Sequence, residues 1–359
     1  MKIAFHFPTL ASGGVEKMRI TLARELLSRG IDVDFVLCQA KGEYLDQVPR
    51  DVGVHDLRAP RTRSSLVPLV RYLKQNKPDY LVASLGPQNV VAVLAKALSG
   101  TTTKVFVTQH NALTRQANNE STQQRLIPLA YRWALPRADG VLAVSEGIAD
   151  DMAAATGFPR SRINVVYNPA YTEAKDGSSS LPDWLKDKNY VLSVGRLVPQ
   201  KGFDDLIRAF RKAHSKHSDL HLVILGNGPL RESLHRLASE LGLGESVHMP
   251  GFASNPAAYF ENARLFVLSS RYEGFGNVLV EALSFGTPIV STDCQFGPIE
   301  ILKGGEYGRL VPVDDIEMLA TAIDRSLTQA HDPEYLKGRA REFSAEAIAD
   351  RYLSVLRSE

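Results

Sequence analysis

Glu273 and Glu281 stand on either side of a Gly274-Phe275-Gly276-Asn277 step that runs into the apolar stretch VLVEALSFGTPIVST. A carboxylate suits paired hydrogen bonds from vicinal hydroxyls, such as those of a ribose or a pyranose ring. Glycine lets backbone N–H groups come close to an anion, and a helix starting there adds the positive end of its dipole. Ser12-Gly13-Gly14 and Gly226-Asn227-Gly228 repeat that composition, although each alone reads equally well as a tight turn between strand and helix. In GRLVPQKG, residues 195–202, Arg196 and Lys201 follow directly on a strand pattern, where two cations can face a diphosphate and neutralise a departing group. Asn277 and Val278 are expected to open a helix, with Glu281 in an early turn and Glu273 in the loop before it. The two acids then reach different parts of one ligand. A nucleotide sugar offers two rings for the acids and a diphosphate for the glycine turn. A nicotinamide site is not supported, because Gly226 and Gly228 are followed by Arg231 where a third glycine is required.

These residues need strands to deliver them, and short β-branched runs alternate with amphipathic helical patterns throughout the 359 residues. In the first half the strand patterns are KIAFHF, DVDFVLC, DYLVASL, KVFVTQH, GVLAVS and INVVYN; in the second they are YVLSVG, LHLVILG, SVHMPG, LFVLSS, TPIVST and GRLVPV. The alternation predicts an α/β chain of two doubly wound, Rossmann-like domains facing across a cleft. The expected boundaries are 1–170, a hydrophilic linker at 171–188, and 189–344, with a final helix at 345–359 crossing back to the first domain. Hydrophobic content of 44% and charged content of 23% are those of an ordinary globular chain. Only Cys38 and Cys294 occur, so no disulfide framework is implied and a reducing compartment is expected. His6 and Pro8 break the early apolar run, which reads as a first strand rather than an export signal. No stretch approaches the roughly 18 uninterrupted apolar residues of a membrane span.

Taken together the motifs resemble the retaining glycosyltransferases of family 4, which have the GT-B fold. The resemblance covers nearly the whole chain: Gly13-Gly14, Gln109-His110, Ala-Val-Ser-Glu at 143–146, Asn168-Pro169, GRLVPQKG, GNGP at 226–229, and Glu273 with Glu281. It implies that Arg196 and Lys201 bind the donor diphosphate, that Glu281 binds the ribose hydroxyls, and that the backbone of Phe275, Gly276, Asn277 and Val278 cradles phosphate. Gly14, Gly226 and Asn227 are implied to line the donor site, and the segment at Met249 resembles the base pocket. Glu273 would hold the donor sugar near its 3- and 4-hydroxyls, and His110 its 6-hydroxyl; Gly13 and Asn111 fall on the acceptor side. The resemblance further implies front-face displacement with retained anomeric configuration; double displacement with Glu273 as nucleophile is the minor reading. No metal or other cofactor is expected. Asp32-Val33-Asp34 spells an acid-x-acid pattern, but it opens a strand far from the expected ligand edge, and Arg196 and Lys201 supply the positive charge.

The net charge of +2 conceals an imbalance: the first 168 residues hold 21 Lys+Arg against 14 Asp+Glu, the remainder 21 against 26. Residues 58–77 carry six basic residues and no acid among Leu, Val and Tyr; 113–137 carry Arg115, Arg125, Arg132 and Arg137 around LIPLAYRWAL, with Glu120 their only acid. Such stretches suit an anionic leaflet, each cation contributing about 1 kcal/mol near the surface. They read equally as solvated faces of helices packed on a sheet. No nucleic-acid reader accompanies the charge. The expected protein is a cytoplasmic enzyme, peripheral on the cytosolic face of the inner membrane. It would move a hexose or N-acetylhexosamine from a UDP-sugar to a saccharide or polyprenyl-diphosphate-linked acceptor. A nucleotide-sugar epimerase of the same fold and a non-catalytic nucleotide-sugar binder are the rival readings.

Overall fold

A computed structural model describes residues 1–11, 13–114, 126–172, 180–253 and 255–358. Ser12 of the first glycine turn, Arg115, Glu120 and Arg125 of the second basic stretch, and linker residues 173–179 lie outside the described residues. The chain divides into one unit of Met1–Pro169 with Ala345–Glu359 and a second of Ala170–Ser344.

The first unit holds a seven-stranded parallel sheet in the order β3-β2-β1-β4-β5-β6-β7. Its strands are β1 (Lys2–Phe7), β2 (Asp32–Leu37), β3 (Gly53–Asp56), β4 (Tyr80–Ser84), β5 (Lys104–Gln109), β6 (Gly140–Ala143) and β7 (Ile163–Val165). Between them run α1 (Gly14–Ser28), α2 (Leu66–Asn76), α3 (Gly86–Ser99), α4 (Ile127–Ala134) and α5 (Glu146–Thr156). Strand β1 is buried on both faces from Ile3 to Phe7, which is why KIAFHF is a nearly continuous apolar run rather than an alternating one. Strand β3 was not expected from the sequence. Its GVHD is short and polar because it is an edge strand, with only one neighbour to cover it.

The second unit holds a six-stranded parallel sheet in the order β10-β9-β8-β11-β12-β13. The strands are β8 (Asn189–Val194), β9 (Leu220–Leu225), β10 (Val247–Gly251), β11 (Leu265–Leu268), β12 (Ile289–Thr292) and β13 (Arg309–Val311). The helices are α6 (Phe203–His214), α7 (Arg231–Glu240), α8 (Ala257–Glu261), α9 (Asn277–Ser284), α10 (Pro298–Ile301), α11 (Ile316–Thr328) and α12 (Pro333–Arg341). Both units are therefore parallel-sheet, Rossmann-like α/β domains. Leu185, in the segment expected to be a linker, is fully buried.

The last helix, α13 (Ala345–Ser358), belongs to the first unit. Ile348, Ala349, Tyr352, Leu353, Val355 and Leu356 join the core formed by β1, β2 and α1. Arg29, capping the end of α1, donates to Asp350 at 2.5 Å and to the Glu346 carbonyl at 3.1 Å, and Arg19 Nη1 donates to Tyr352 Oη at 3.2 Å.

His6, in the middle of β1, is fully buried; its Nδ1 donates to the Val36 carbonyl at 2.8 Å. Burial pushes its pKa down to about 4, against that hydrogen bond, so the folded ring stays neutral where an unfolded histidine takes up a proton near 6.5. A depressed histidine binds fewer protons folded than unfolded, so stability falls as pH drops from 6.5 toward 4 and is unaffected above that window. The first unit is expected to lose about 2 kcal/mol through this residue between pH 7.5 and 5. Urea unfolding of wild type and His6→Leu at the two pH values checks it, since an equal loss in both would remove His6 as the cause.

Candidate active site

In an open parallel sheet, ligands bind beyond the carboxyl ends of the strands where the strand order reverses. In the second unit those strands are β8 and β11. The turn leaving β8 carries Arg196 and Lys201, and the loop leaving β11 carries Ser270 and Glu273. The structure brings Lys201 and Glu273 into contact: Lys201 Nζ donates to Glu273 Oε1 at 2.5 Å, and Ser270 Oγ donates to the same oxygen at 2.6 Å. Glu273 is only 8% exposed, whereas Arg196 is exposed to solvent. A cation and an anion thus meet at the switch point, with a second cation exposed on the same turn.

Helix α9 begins at Asn277, as its sequence indicates. Gly276 caps it with φ 97°, a conformation that costs a residue with a side chain about 1–2 kcal/mol. The leading amides of such a helix lack partners within it and carry the positive end of the dipole. Glu281 follows in the second turn, 9% exposed. Phe275 offers this turn its backbone alone, because its ring is buried edge-on against Phe343 with centroids 5.6 Å apart. Val278 is half-buried in the first turn. Cys294 lies beside Glu273, and burial, reinforced by that carboxylate, pushes its thiol up to about 12. It stays neutral.

The glycine turn after β9 docks on the turn after β8. Leu197 N–H donates to the Asn227 carbonyl at 2.9 Å, Leu230 N–H to the Leu197 carbonyl at 3.1 Å, and Gly226 N–H to the Gly251 carbonyl at 2.8 Å. Asn227 is left exposed. The Met249 side chain is 3% exposed and packs in the second core, and its carbonyl accepts from Arg231 Nη2 at 2.5 Å, so this segment presents backbone rather than the thioether.

In the first unit the reversal lies between β1 and β4. Gly13 caps α1 and Gly14 is its first residue. Glu16 in that first turn was missed in the sequence; its carboxylate folds over Gly13, filling the space a Cβ would take, and burial raises its pKa. His110 follows β5 with 5% exposure. Neither ring nitrogen has a hydrogen-bond partner among the described residues. The ring borders a cavity of about 10 Å³ with Arg19, Asn168 and Tyr352, space for roughly one water. Burial, then the nearby Arg19 guanidinium, holds the His110 pKa well below the usual value, so the imidazole is neutral. Asn111 is exposed, and its carbonyl accepts from Gln109 Nε2 at 2.6 Å. The acid-x-acid pair is structural at Asp34, which accepts from Tyr72 Oη at 2.5 Å, Lys2 Nζ at 2.8 Å and His55 Nε2 at 3.2 Å.

Two family descriptions match the chain: "Glycosyltransferase Family 4" over residues 12–174 and "Glycosyl transferases group 1" over 181–343. Among curated relatives, an N-acetylgalactosamine-N,N'-diacetylbacillosaminyl-diphospho-undecaprenol 4-alpha-N-acetylgalactosaminyltransferase of Campylobacter jejuni is 31% identical, with 99% of each chain covered. The lipopolysaccharide core biosynthesis glycosyltransferase LpsE of Rhizobium meliloti is 36% identical over 49% of this chain and 52% of its own. Among solved structures, Anabaena HepE in complex with UDP and glucose superposes with a TM-score of 0.82 at 23% identity, covering all of both chains. With both halves matched, one relative aligned end to end and the two-sheet architecture shared, the chain belongs to the family 4 glycosyltransferases and has the GT-B fold.

Proposed function

We propose that this glycosyltransferase moves a hexose or N-acetylhexosamine from a UDP-sugar, with retention, to a polyprenyl-diphosphate-linked saccharide during bacterial surface-glycan or glycoconjugate synthesis. The observation that carries the donor half is the meeting of Lys201 and Glu273 at the β8/β11 switch point, beside the helix start at Asn277. In this reading Arg196, Lys201 and the Phe275–Val278 backbone bind the diphosphate, and Glu281 takes the ribose hydroxyls. Glu273 orients the sugar. The acceptor class is drawn from the Campylobacter relative, whose name specifies an undecaprenol diphosphate.

The chemistry follows from the charges. The bond between the anomeric carbon and the phosphate oxygen breaks as Arg196 and Lys201 stabilise the negative charge arriving on the diphosphate. The acceptor oxygen bonds to that carbon on the same face, and its proton passes to the departing phosphate oxygen. Two side-chain cations perform the neutralisation for which a divalent ion would otherwise be needed, so we infer no metal requirement. Glu273 is a poor nucleophile in this setting, since Lys201 and Ser270 both hold its Oε1. His110 takes part as a neutral imidazole, able to donate one hydrogen bond and accept another.

Peripheral membrane attachment is supported by the first unit's surface. Arg58, Arg61, Arg63, Arg71, Lys74 and Lys77 are all exposed. Helices α2 and α4 both pack on α3, and this group of helices leaves Val67, Leu98, Leu129 and Trp133 at 58, 60, 62 and 38% exposure. Arg132 and Arg137 flank Trp133, with the Arg137 guanidinium 4.9 Å from its ring. Among the described residues no helix is long and apolar enough to cross a membrane.

One assay tests the whole reading. Lipid-diphosphate-linked saccharides in anionic or neutral vesicles are supplied with UDP-, GDP- or ADP-sugars, and nucleotide release and product mass are recorded. The expected result is release from a UDP-sugar only with acceptor present, faster on anionic vesicles, giving an α-configured product from an α-linked donor. Turnover of donor without acceptor points to the epimerase reading, and binding without any release to the non-catalytic one.

A further inference from the structure

Arg271, two residues before Glu273, was given no role by its sequence. Its guanidinium is enclosed by three carboxylates: Nη1 and Nη2 each donate to Asp204 at 3.0 Å, Nη2 also donates to Asp205, and Nε donates to Asp314 at 3.0 Å. Asp204 and Asp205 occupy the first turn of α6, immediately after the turn that carries Lys201.

What Arg271 reaches next is the backbone of that turn. Arg271 Nη1 donates to the Pro199 carbonyl at 2.8 Å, Arg271 N–H to the Gln200 carbonyl at 2.8 Å, and Ser269 Oγ to the Lys201 carbonyl at 2.8 Å. Three consecutive carbonyls, Pro199 to Lys201, are each held by a donor from residues 269–271. Gln200 Nε2 returns the contact, donating to the Tyr272 carbonyl at 2.9 Å. Stability alone does not call for this arrangement. One cation does not neutralise three carboxylates, and their mutual repulsion offsets part of what each contributes. Burial and the neighbouring Asp204 accordingly raise the pKa of Asp205. The yield is geometric: a planar five-donor fork held by the carboxylates grips the backbone of the turn.

We propose that Arg271 is a positioning residue, anchoring the Pro199–Lys201 turn to the loop that bears Glu273 and so fixing the reach of Lys201 toward the donor diphosphate. The role rests on the reading of Lys201 as a diphosphate ligand. A lysine at 271 can hold one or two carboxylates, but it cannot also span to Pro199 in the same plane.

UDP titration calorimetry and amide hydrogen exchange on the full chain test the proposal with wild type, Arg196→Ala, Arg271→Lys and Arg271→Met. Arg271→Met is expected to raise the UDP Kd tenfold or more and to speed exchange at the Lys201 and Arg271 amides tenfold or more, with Arg271→Lys intermediate. Because Arg271→Met strands three acids, the variant Arg271→Met/Asp204→Asn/Asp314→Asn is measured beside it as a charge-relieved form that keeps the fold. The same loss is expected there. Wild-type Kd and exchange in Arg271→Met overturn the proposal, as does full recovery in the charge-relieved variant, which would make the effect one of neutralisation. If wild type itself binds no UDP, the donor reading fails, and the exchange arm still decides whether Arg271 anchors the turn.

Discussion

Glu273→Gln leaves the protein folded and UDP bound within a fewfold of wild type, and lowers kcat by about 10²–10³. The amide keeps an oxygen for Lys201 Nζ and Ser270 Oγ, so the contacts at 2.5 and 2.6 Å have a neutral replacement and the local geometry is retained. What disappears is a buried negative charge, which in the proposed reading faces the carbon that becomes positive as the diphosphate departs. The loss therefore falls on kcat more than on donor KM, as expected for an interaction strongest in the transition state. Steady-state kinetics with the active donor check this, with a parallel melting curve to show that the fold survives. His110→Ala gives the complementary result: a similar fall in turnover with UDP affinity unchanged, since that residue lies in the other unit. Azide adds a discriminating arm. If Glu273 were the nucleophile, azide would restore turnover in Glu273→Ala with inverted product; front-face displacement predicts no such rescue. Near wild-type turnover in both Glu273→Gln and His110→Ala would remove the catalytic assignment.

Gly226→Ala is expected to cost about 3 kcal/mol or more and to abolish nucleotide binding in whatever fraction stays folded. Gly226 has φ 137°, and a Cβ there would lie 2.0 Å from the Gly195 carbonyl oxygen. That neighbour is backbone, so no rotamer change relieves the overlap. Relief requires the β9 turn to move off the β8 turn, breaking the bonds of Leu197 with Asn227 and of Leu230 with Leu197. Arg196 and Lys201 sit on the β8 turn, which loses that support. Denaturant unfolding and UDP calorimetry measure the two effects; a variant that binds UDP normally would mean the docked turns are not needed for the donor site. Gly244, with only the Ser239 hydroxyl 3.8 Å from its added Cβ, serves as the tolerant control.

Glu281 and Met249 differ in how much of their local placement was legible beforehand. Glu273, Gly276 and Glu281 lie within nine consecutive residues, and a helix start fixes their arrangement locally, so the sequence carried their placement. Lys201 was legible as a cation at a strand end, but its contact with Glu273, 72 positions away, depends on β8 and β11 being neighbours. Met249 alternates correctly for a strand, yet nothing local tells which face of β10 meets the core. Strand β3 escaped because four residues with an exposed edge carry too little apolar signal. Ser270 had a readable hint in its three-residue spacing from Glu273, whereas Arg271 had none, because Asp204, Asp205 and Asp314 reach it only through the tertiary fold.

Helix α13 closes the first unit's core although 175 residues of the second unit precede it, Ala170 through Ser344. As the nascent chain leaves the ribosome, the second unit is complete as soon as Ser344 has emerged. Even then the first, though made earlier, still exposes the patch that Tyr352, Leu353 and Leu356 will cover. Synthesis order and completion order are thus reversed, and the earlier-made half must avoid aggregation while it waits for α13 to emerge.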